Sequence, residues 1–295
     1  MPMRKVAALL VATCALAPLA GCSLWPTTRR LPKPKVPLVT KTVAPEELVK
    51  QLNDRWMSID GLTATVEMQA TEMKTNEGLA KDFPSGKGYI VMRKPEMLRV
   101  VGTYFSVRIF DMASNGKTFK LYIPSKSMAF EGSTAVRGTA KNPLYNLRPG
   151  FFFDAMMVRG LSPDDLYSVT ADTETIEDIK KKHLLLVPEY ILNVMRRKPG
   201  SQELTPVRVV TFHRDDLLPY GQDLYDDKGN LETQVTYANY IDFGSGLFPA
   251  HVVIKRPEEG MSVTLDVLRV SKNPTFPEDE FEVKIPDGTK IEMLK

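Results

Sequence analysis

From Leu62 the chain alternates with period two. Leu62, Ala64, Val66, Met68 and Ala70 are apolar, and Thr63, Thr65, Glu67 and Gln69 between them are polar. Such alternation marks a strand with one dry and one wet face. Further strand candidates follow at 87–93, 97–104, 106–113, 117–123, 126–131, 167–172, 182–195 (in two pieces), 205–213, 222–226, 231–243, 250–256 and 262–270. Asn115-Gly116, Asp226-Asp227-Lys228-Gly229-Asn230 and Gly244-Ser245-Gly246 supply turn chemistry between several of them. Connections this short suit antiparallel hairpins. Strands and helices do not alternate regularly, so a Rossmann-like fold is excluded. The chain is mainly β, and the apolar face of its sheet has to be covered.

Two segments have helical character. Pro45 suits a first helical position, with Glu46 and Glu47 well placed in the first turn. Leu48, Leu52, Trp56 and Ile59 then form one stripe, which Asp60-Gly61 ends. The second segment follows Asn146-Leu147-Arg148-Pro149-Gly150. Phe151 to Val158 is apolar all round, closes on Arg159-Gly160, and reads as a short helix buried on several sides. Asn273 to Phe281 is a proline-broken loop, and Ile285-Pro286-Asp287-Gly288 is a final turn.

At the amino end Arg4 and Lys5 precede an apolar run from Val6 to Leu19, which closes on Leu19-Ala20-Gly21-Cys22. This is the layout of a secretory signal peptide. The run is too short to span a bilayer, which takes roughly 20 residues. A cysteine directly after the small residues resembles the bacterial lipobox, which implies acylation of Cys22 and cleavage before it. Ser23 then fits the enterobacterial pattern for outer-membrane sorting. The expected organisation is a signal peptide at 1–21, a lipidated tether at 22–44 and one domain at 45–295. Pro26, Pro32, Pro34 and Pro37 sit among Arg29, Arg30, Lys33, Lys35 and Lys41 in the tether. At about 3.1 Å per residue it reaches roughly 70 Å from the membrane. Cys14 and Cys22 are the only cysteines. The mature domain therefore has no disulfide, cysteine nucleophile or thiolate metal site.

A net charge of +3 gives no global field to attract nucleic acid. Enzyme signatures are lacking. His183, His213 and His251 are far apart, and none has metal-ligand spacing. His213-Arg214-Asp215 imitates the kinase tripeptide without the other kinase motifs. Glu278-Asp279-Glu280 lacks the spaced oxygens and glycine of a calcium loop. No cofactor or metal is expected.

The order of elements resembles the LolA/LolB superfamily of lipoprotein-sorting proteins. Three stretches carry the resemblance. Gly88-Tyr89-Ile90-Val91-Met92-Arg93-Lys94-Pro95, followed by Leu98-Arg99, matches a G-x-x-x-x-[KR]-[KR]-P run. Ser114 to Pro124 is similar to the family's S-D-G-K hairpin. Val270 to Ile285 is similar to its closing sequence, with Phe281 opening a last strand. Pro143 to Pro163 resembles the plug region of the LolB branch, which the lipobox also favours. The resemblance implies an incompletely closed, curved antiparallel half-barrel with an amino-terminal helix and a helical plug. Two departures stand out. The chain is longer than the family across 160–230. Lys94 stands where LolA has a lid-locking arginine, and lysine lacks the planar fork that such a lock uses.

The resemblance places function on the concave face. Leu62, Val66, Met68, Phe119, Leu121, Phe152, Met156, Val235, Tyr237 and Ile241 are expected to line it. Two readings fit them: walls of an acyl-chain cavity, in which each buried methylene contributes about 0.8 kcal/mol, or ordinary core packed on the plug. The 14 methionines suit an adaptable lining. Tyr104-Phe105, between two strands, falls near the protruding membrane-insertion loop of the LolB branch; packing of one ring into the core is the competing reading. The implied function is an outer-membrane lipoprotein facing the periplasm. It would take lipid or lipoprotein acyl chains from a periplasmic carrier protein and aid their insertion into the membrane. A non-transporting sensor or protein-interaction lipoprotein on the same fold is the alternative.

Overall fold

The computed structural model describes residues 34–36, 39–74, 78–134, 149–178 and 183–294. Cys22, the signal segment, most of the tether and the approach to the plug at 135–148 lie outside the described residues. The chain divides into two compact units, Met1–Lys35 with Thr175–Leu186, and Val36–Glu174 with Val187–Lys295. In the first, strand β1 (Pro34–Lys35) pairs in parallel with Leu184 and Leu185 of β10 (His183–Arg197).

The second unit begins with helix α1 (Pro45–Met57), two residues shorter than its apolar stripe. Pro45 opens it, Glu46 and Glu47 face its positive end, and Arg55 lies in its last turn. Strands β2 (Gly61–Lys74), β3 (Leu79–Asp82), β4 (Gly86–Arg93), β5 (Met97–Tyr104), β6 (Val107–Ser114), β7 (Thr118–Ile123) and β8 (Met128–Ser133) follow. Helix α2 (Pro149–Met156) is the plug. Then come β9 (Asp165–Asp178), β10, β11 (Leu204–His213), β12 (Pro219–Tyr225), β13 (Leu231–Asp242), β14 (Leu247–Arg256), β15 (Met261–Lys272) and β16 (Lys290–Leu294). The sheet order is β10-β11-β12-β13-β14-β15-β2-β4-β5-β6-β7-β8-β16, with β3 on β2 and β9 on β10. Its hairpins are antiparallel as expected, and β16 joins β8 in parallel.

The sheet curves around the plug without closing into a barrel. One apolar cluster joins Leu62, Ile90, Val100, Met112, Leu121 and Phe130 of the β2–β8 half to Val235, Val252 and Leu265 of the β13–β15 half, with Phe151, Phe152 and Phe153 between them. A second cluster seats Leu48, Val49 and Leu52 of α1 on Tyr190, Leu192, Val194, Val210 and Phe212. The spacer ends before Pro45: Lys41 donates its main-chain N–H to the Arg214 carbonyl at 2.6 Å, and Val43 donates to the Tyr190 hydroxyl.

Three local expectations need correction. Residues 183–197 form one strand, because Pro188 precedes the β10–β11 ladder, which starts at Glu189, and its missing donor breaks no bond there. Phe281 opens no strand. The backbone around it is used in turns, from Glu280 N–H to Pro277 and from Glu282 N–H to Asp279, while its ring packs on Phe276 and beneath Arg93. The third concerns β13. Asn239 adopts φ 55°, a left-handed backbone within a strand whose register with β14 runs on unshifted from Ala238–His251 to Tyr240–Pro249. The left-handed residue breaks the strict alternation of facing after it. Tyr240 turns in, and Ile241 turns out, 46% exposed.

The carboxyl-terminal strap, residues 273–289, runs from β15 across the outer face to β16. The Asn273 side chain clamps the α1–β2 junction, accepting from Asp60 and Gly61 N–H and donating to Ser58. Phe276 lies against Gly61, where any Cβ would fall 2.6 Å from its ring. Arg99 of β5 donates to the Glu280 carbonyl at 3.0 Å and, through Nε and Nη2, to Asp111 at 3.1 and 3.0 Å.

Candidate functional site

The plug buries every apolar side chain it has. Phe151 and Phe152 stack at 4.2 Å, Phe153 meets Trp56 edge-on at 6.5 Å, and Ala155 and Met156 face the sheet cluster. Leu62, Val66, Phe119, Leu121, Phe152, Met156, Val235 and Tyr237 all join this cluster, and Met68 packs at its margin. Ile241 does not. Leu62 and Val66 are 0% exposed, so this part of the concave face is closed to solvent.

Lys94 contacts α1 rather than the plug. Its ammonium donates to the Trp56 carbonyl and lies 4.0 Å from the Trp56 ring centroid. A cation at a helix carboxyl end complements the macrodipole, and burial lowers its affinity for the proton. Asn53 Oδ1 of the same helix accepts from Leu161 N–H at 2.8 Å, so α1 also holds the segment after the plug.

Tyr104 and Phe105 stand at the β5–β6 tip, with ring centroids 4.5 Å apart. Phe105 is 85% exposed, and Val107 and Ile109 beside it are exposed too. The two-residue loop Phe105-Ser106 has φ 46° and 67°, a left-handed pair that ordinarily calls for Asn-Gly. A bulky aromatic there costs about 1 kcal/mol of strain or more. Local folding does not explain the choice of phenylalanine.

Polar groups beneath the plug were not anticipated from the sequence. Asp154 binds Arg159 at 2.5 Å, and Arg159 reaches Glu96 at 3.1 Å. Burial raises the Asp154 pKa, opposed by Arg159 and then Arg208. Arg208 shares strand parity with Val210 and Phe212, and a basic residue on an otherwise apolar face was the available signal.

A titratable cluster lies where β9 to β12 meet. Glu189 is 7% exposed, and its carboxyl is pushed up to about 7, chiefly by burial and then by Glu174 and Asp172 on β9. His213 Nε2 is 3.5 Å from Glu189, and its ring stacks on Tyr220 at 3.5 Å. Burial lowers the His213 pKa. The Tyr220 hydroxyl donates to Asp216 at 2.9 Å, and Arg214 covers the Tyr190 ring. Because the folded pKa of Glu189 exceeds its ordinary 4.5, its favourable contribution is complete below pH 4.5 and is lost as pH rises through 7. Glu189→Gln should raise stability at pH 8 by about 1–2 kcal/mol, after a discount for solvent screening, and change little at pH 4. Urea midpoints at both pH values test this; no gain at pH 8 contradicts it.

Among the described residues no group of three or more His, Cys, Asp or Glu side chains is placed to hold a metal ion. His251 instead pairs with Asp266 at 2.7 Å.

No protein-family model matches the sequence, and no curated protein matches it. Solved structures do. A DUF1329 family protein from Desulfovibrio piger superposes with a TM-score of 0.53 at 16% identity, over 80% of this chain and 95% of that one. A LolA superfamily protein from Nitrosomonas europaea gives 0.51 at 15% identity, over 82% and 99%. The fold is LolA/LolB-like.

Proposed function

We propose that this chain is a lipid-anchored outer-membrane lipoprotein that binds lipid or lipoprotein acyl chains between its curved sheet and its plug and aids their insertion into the membrane. The observation that carries the reading is the β5–β6 tip, where Phe105 is almost fully exposed in a strained backbone beside Tyr104, Val107 and Ile109. An aromatic pair presented this way suits the bilayer interface. The apolar interior supplies the matching site for hydrocarbon, and a periplasmic carrier is the expected donor. Transfer needs no nucleotide if each successive site binds the chains more tightly.

The test separates delivery from folding. Tyr104→Glu with Phe105→Glu should leave the denaturation midpoint unchanged and slow lipid transfer to liposomes. Phe105→Gly should stabilise the fold by about 0.5–1 kcal/mol, because glycine accepts the positive φ, and should weaken vesicle association. Opposite movements of stability and membrane binding support the tip; unfolding of the double variant sinks it. The anchor is tested separately. Cys22→Ala should release the processed chain from membranes, since stable attachment takes two acyl chains or equivalent signals; persistent tight association would point to another anchor.

The full burial of Leu62 and Val66 favours a second reading, a non-transporting sensor or protein-interaction lipoprotein on the same fold. Native mass spectrometry for co-purifying lipid separates the two.

A further inference from the structure

Two arginines stand near one cross-strand row of the concave face. Arg208, Leu224 and Thr233 are opposite one another on β11, β12 and β13, and Arg256 of β14 reaches Thr233. Arg256 is fully engaged: Nε and Nη2 bind Glu259, and Nη1 donates to Thr233. Arg208 is not. It is 4% exposed, its Nη2 donates to the Gly160 carbonyl at 2.7 Å, and its buried Nε has no acceptor among the described residues.

Two more polar groups, one on β12 and one on β13, meet close by. Gln222 Nε2 donates to the Asp154 main-chain carbonyl at 2.9 Å and lies 3.5 Å from the Tyr237 hydroxyl. Thus β11, β12 and β13 each direct a side chain with donor protons towards the end of the plug. The plug and the residues after it answer with the Asp154 and Gly160 carbonyls and the Asp154 carboxylate. Asp165, then Asp154, are the carboxylates whose charge most favours the Arg208 cation, and Asp165 is already bound to Arg196 at 2.7 Å.

If the plug moves aside, Arg208 loses the Gly160 oxygen and its nearness to Asp154. A hydrocarbon alone would leave that cation buried and nearly unpaired, the costliest kind of burial. An occupant with its own anion would not. Donors drawn from three strands suit a tetrahedral anion with several free oxygens better than a planar carboxylate with two, and guanidinium is well matched to phosphate.

We propose that Arg208, Gln222 and Tyr237 form an interior site for the phosphate headgroup of an acylated lipid, which the Asp154 end of the plug fills when no lipid is bound. This rests on the acyl-binding reading above and narrows its ligand to a phosphate-bearing amphiphile, with the chains lying along the apolar rows beyond Arg208.

The purified full-length protein is titrated with lysophosphatidylglycerol, with a monoacylglycerol of the same chain, and with inorganic phosphate, each amphiphile below its micelle concentration. Lysophosphatidylglycerol should bind at least about tenfold more tightly than either other probe. Arg208→Leu should bring its affinity down to that of the monoacylglycerol, and Asp154→Asn, which removes the internal anion, should raise it several-fold. Equal binding of the two amphiphiles, or a preference that survives Arg208→Leu, overturns the headgroup site while leaving acyl binding intact. Inorganic phosphate binding as tightly as the lipid overturns it as well. If neither amphiphile binds, the acyl-binding reading falls with it. Should Arg208→Leu fail to fold, Arg208→Lys, which keeps charge without the fork, and the wild-type comparison decide.

Discussion

Asp111→Ala should remove about 3–5 kcal/mol of folding stability, the cost of leaving a buried charge without its partner. Asp111 is 0% exposed in the middle of β6. It takes both prongs of the Arg99 guanidinium and a further bond from Arg108 at 2.9 Å. Arg99 is mostly buried, and its remaining nitrogen holds the Glu280 carbonyl of the strap. Deleting the carboxylate leaves this arginine under the strap with a carbonyl in place of a charge, and loosens the strap as well. Arg99→Met with Asp111→Leu, which removes both charges and keeps volume, should cost far less. Urea unfolding of the single and double variants is the measurement. A single variant within about 1 kcal/mol of wild type would mean that the pair does not hold the strap.

Phe152→Ala should move stability and ligand affinity in opposite directions. Phe152 is wholly buried in the plug and stacked on Phe151, so its truncation should cost about 3–5 kcal/mol. If an acyl ligand must displace the plug, that loss lowers the barrier it has to overcome. The apparent affinity should rise, by at most about two to three and a half orders of magnitude if each 1.4 kcal/mol is a factor of ten. Paired measurements of denaturant midpoint and lipid binding check this. Affinity falling in step with stability would mean that Phe152 is part of the wall the ligand touches.

Much of the architecture was legible because alternation and turn chemistry agree along most of the chain. The strand from Leu62 and the plug from Phe151 both stand where their patterns put them. The tip's position followed from the strand candidates on either side of Phe105, and the resemblance set Tyr104 and Phe105 near a protruding loop, with packing of one ring into the core as the other reading. The features that escaped were decided by single residues or by distant partners. Alternation through β13 carries Ile241 inward, but Asn239, a residue that tolerates the left-handed region, takes a positive φ there and the alternation fails after it. Nothing in Lys290 to Leu294 names a parallel partner, because a period of two is the same in either ladder. Arg208 and Asp111 interrupt strands in the same way on paper. Only the folded chain distinguishes them, one under the plug with a nitrogen free and one under the strap with every oxygen bound.

The strap has a mechanical consequence. It is fastened at Asn273 beside the α1–β2 junction, gripped midway by Arg99, and fastened again where β16 joins β8. The strands between those fastenings cannot fan apart without lengthening a proline-stiffened tie that has little slack. No such tie crosses β10 to β13 among the described residues. The sheet therefore has a braced half and a compliant half, and any widening that admits a guest is directed to the compliant one, where Arg208, Gln222 and Tyr237 stand.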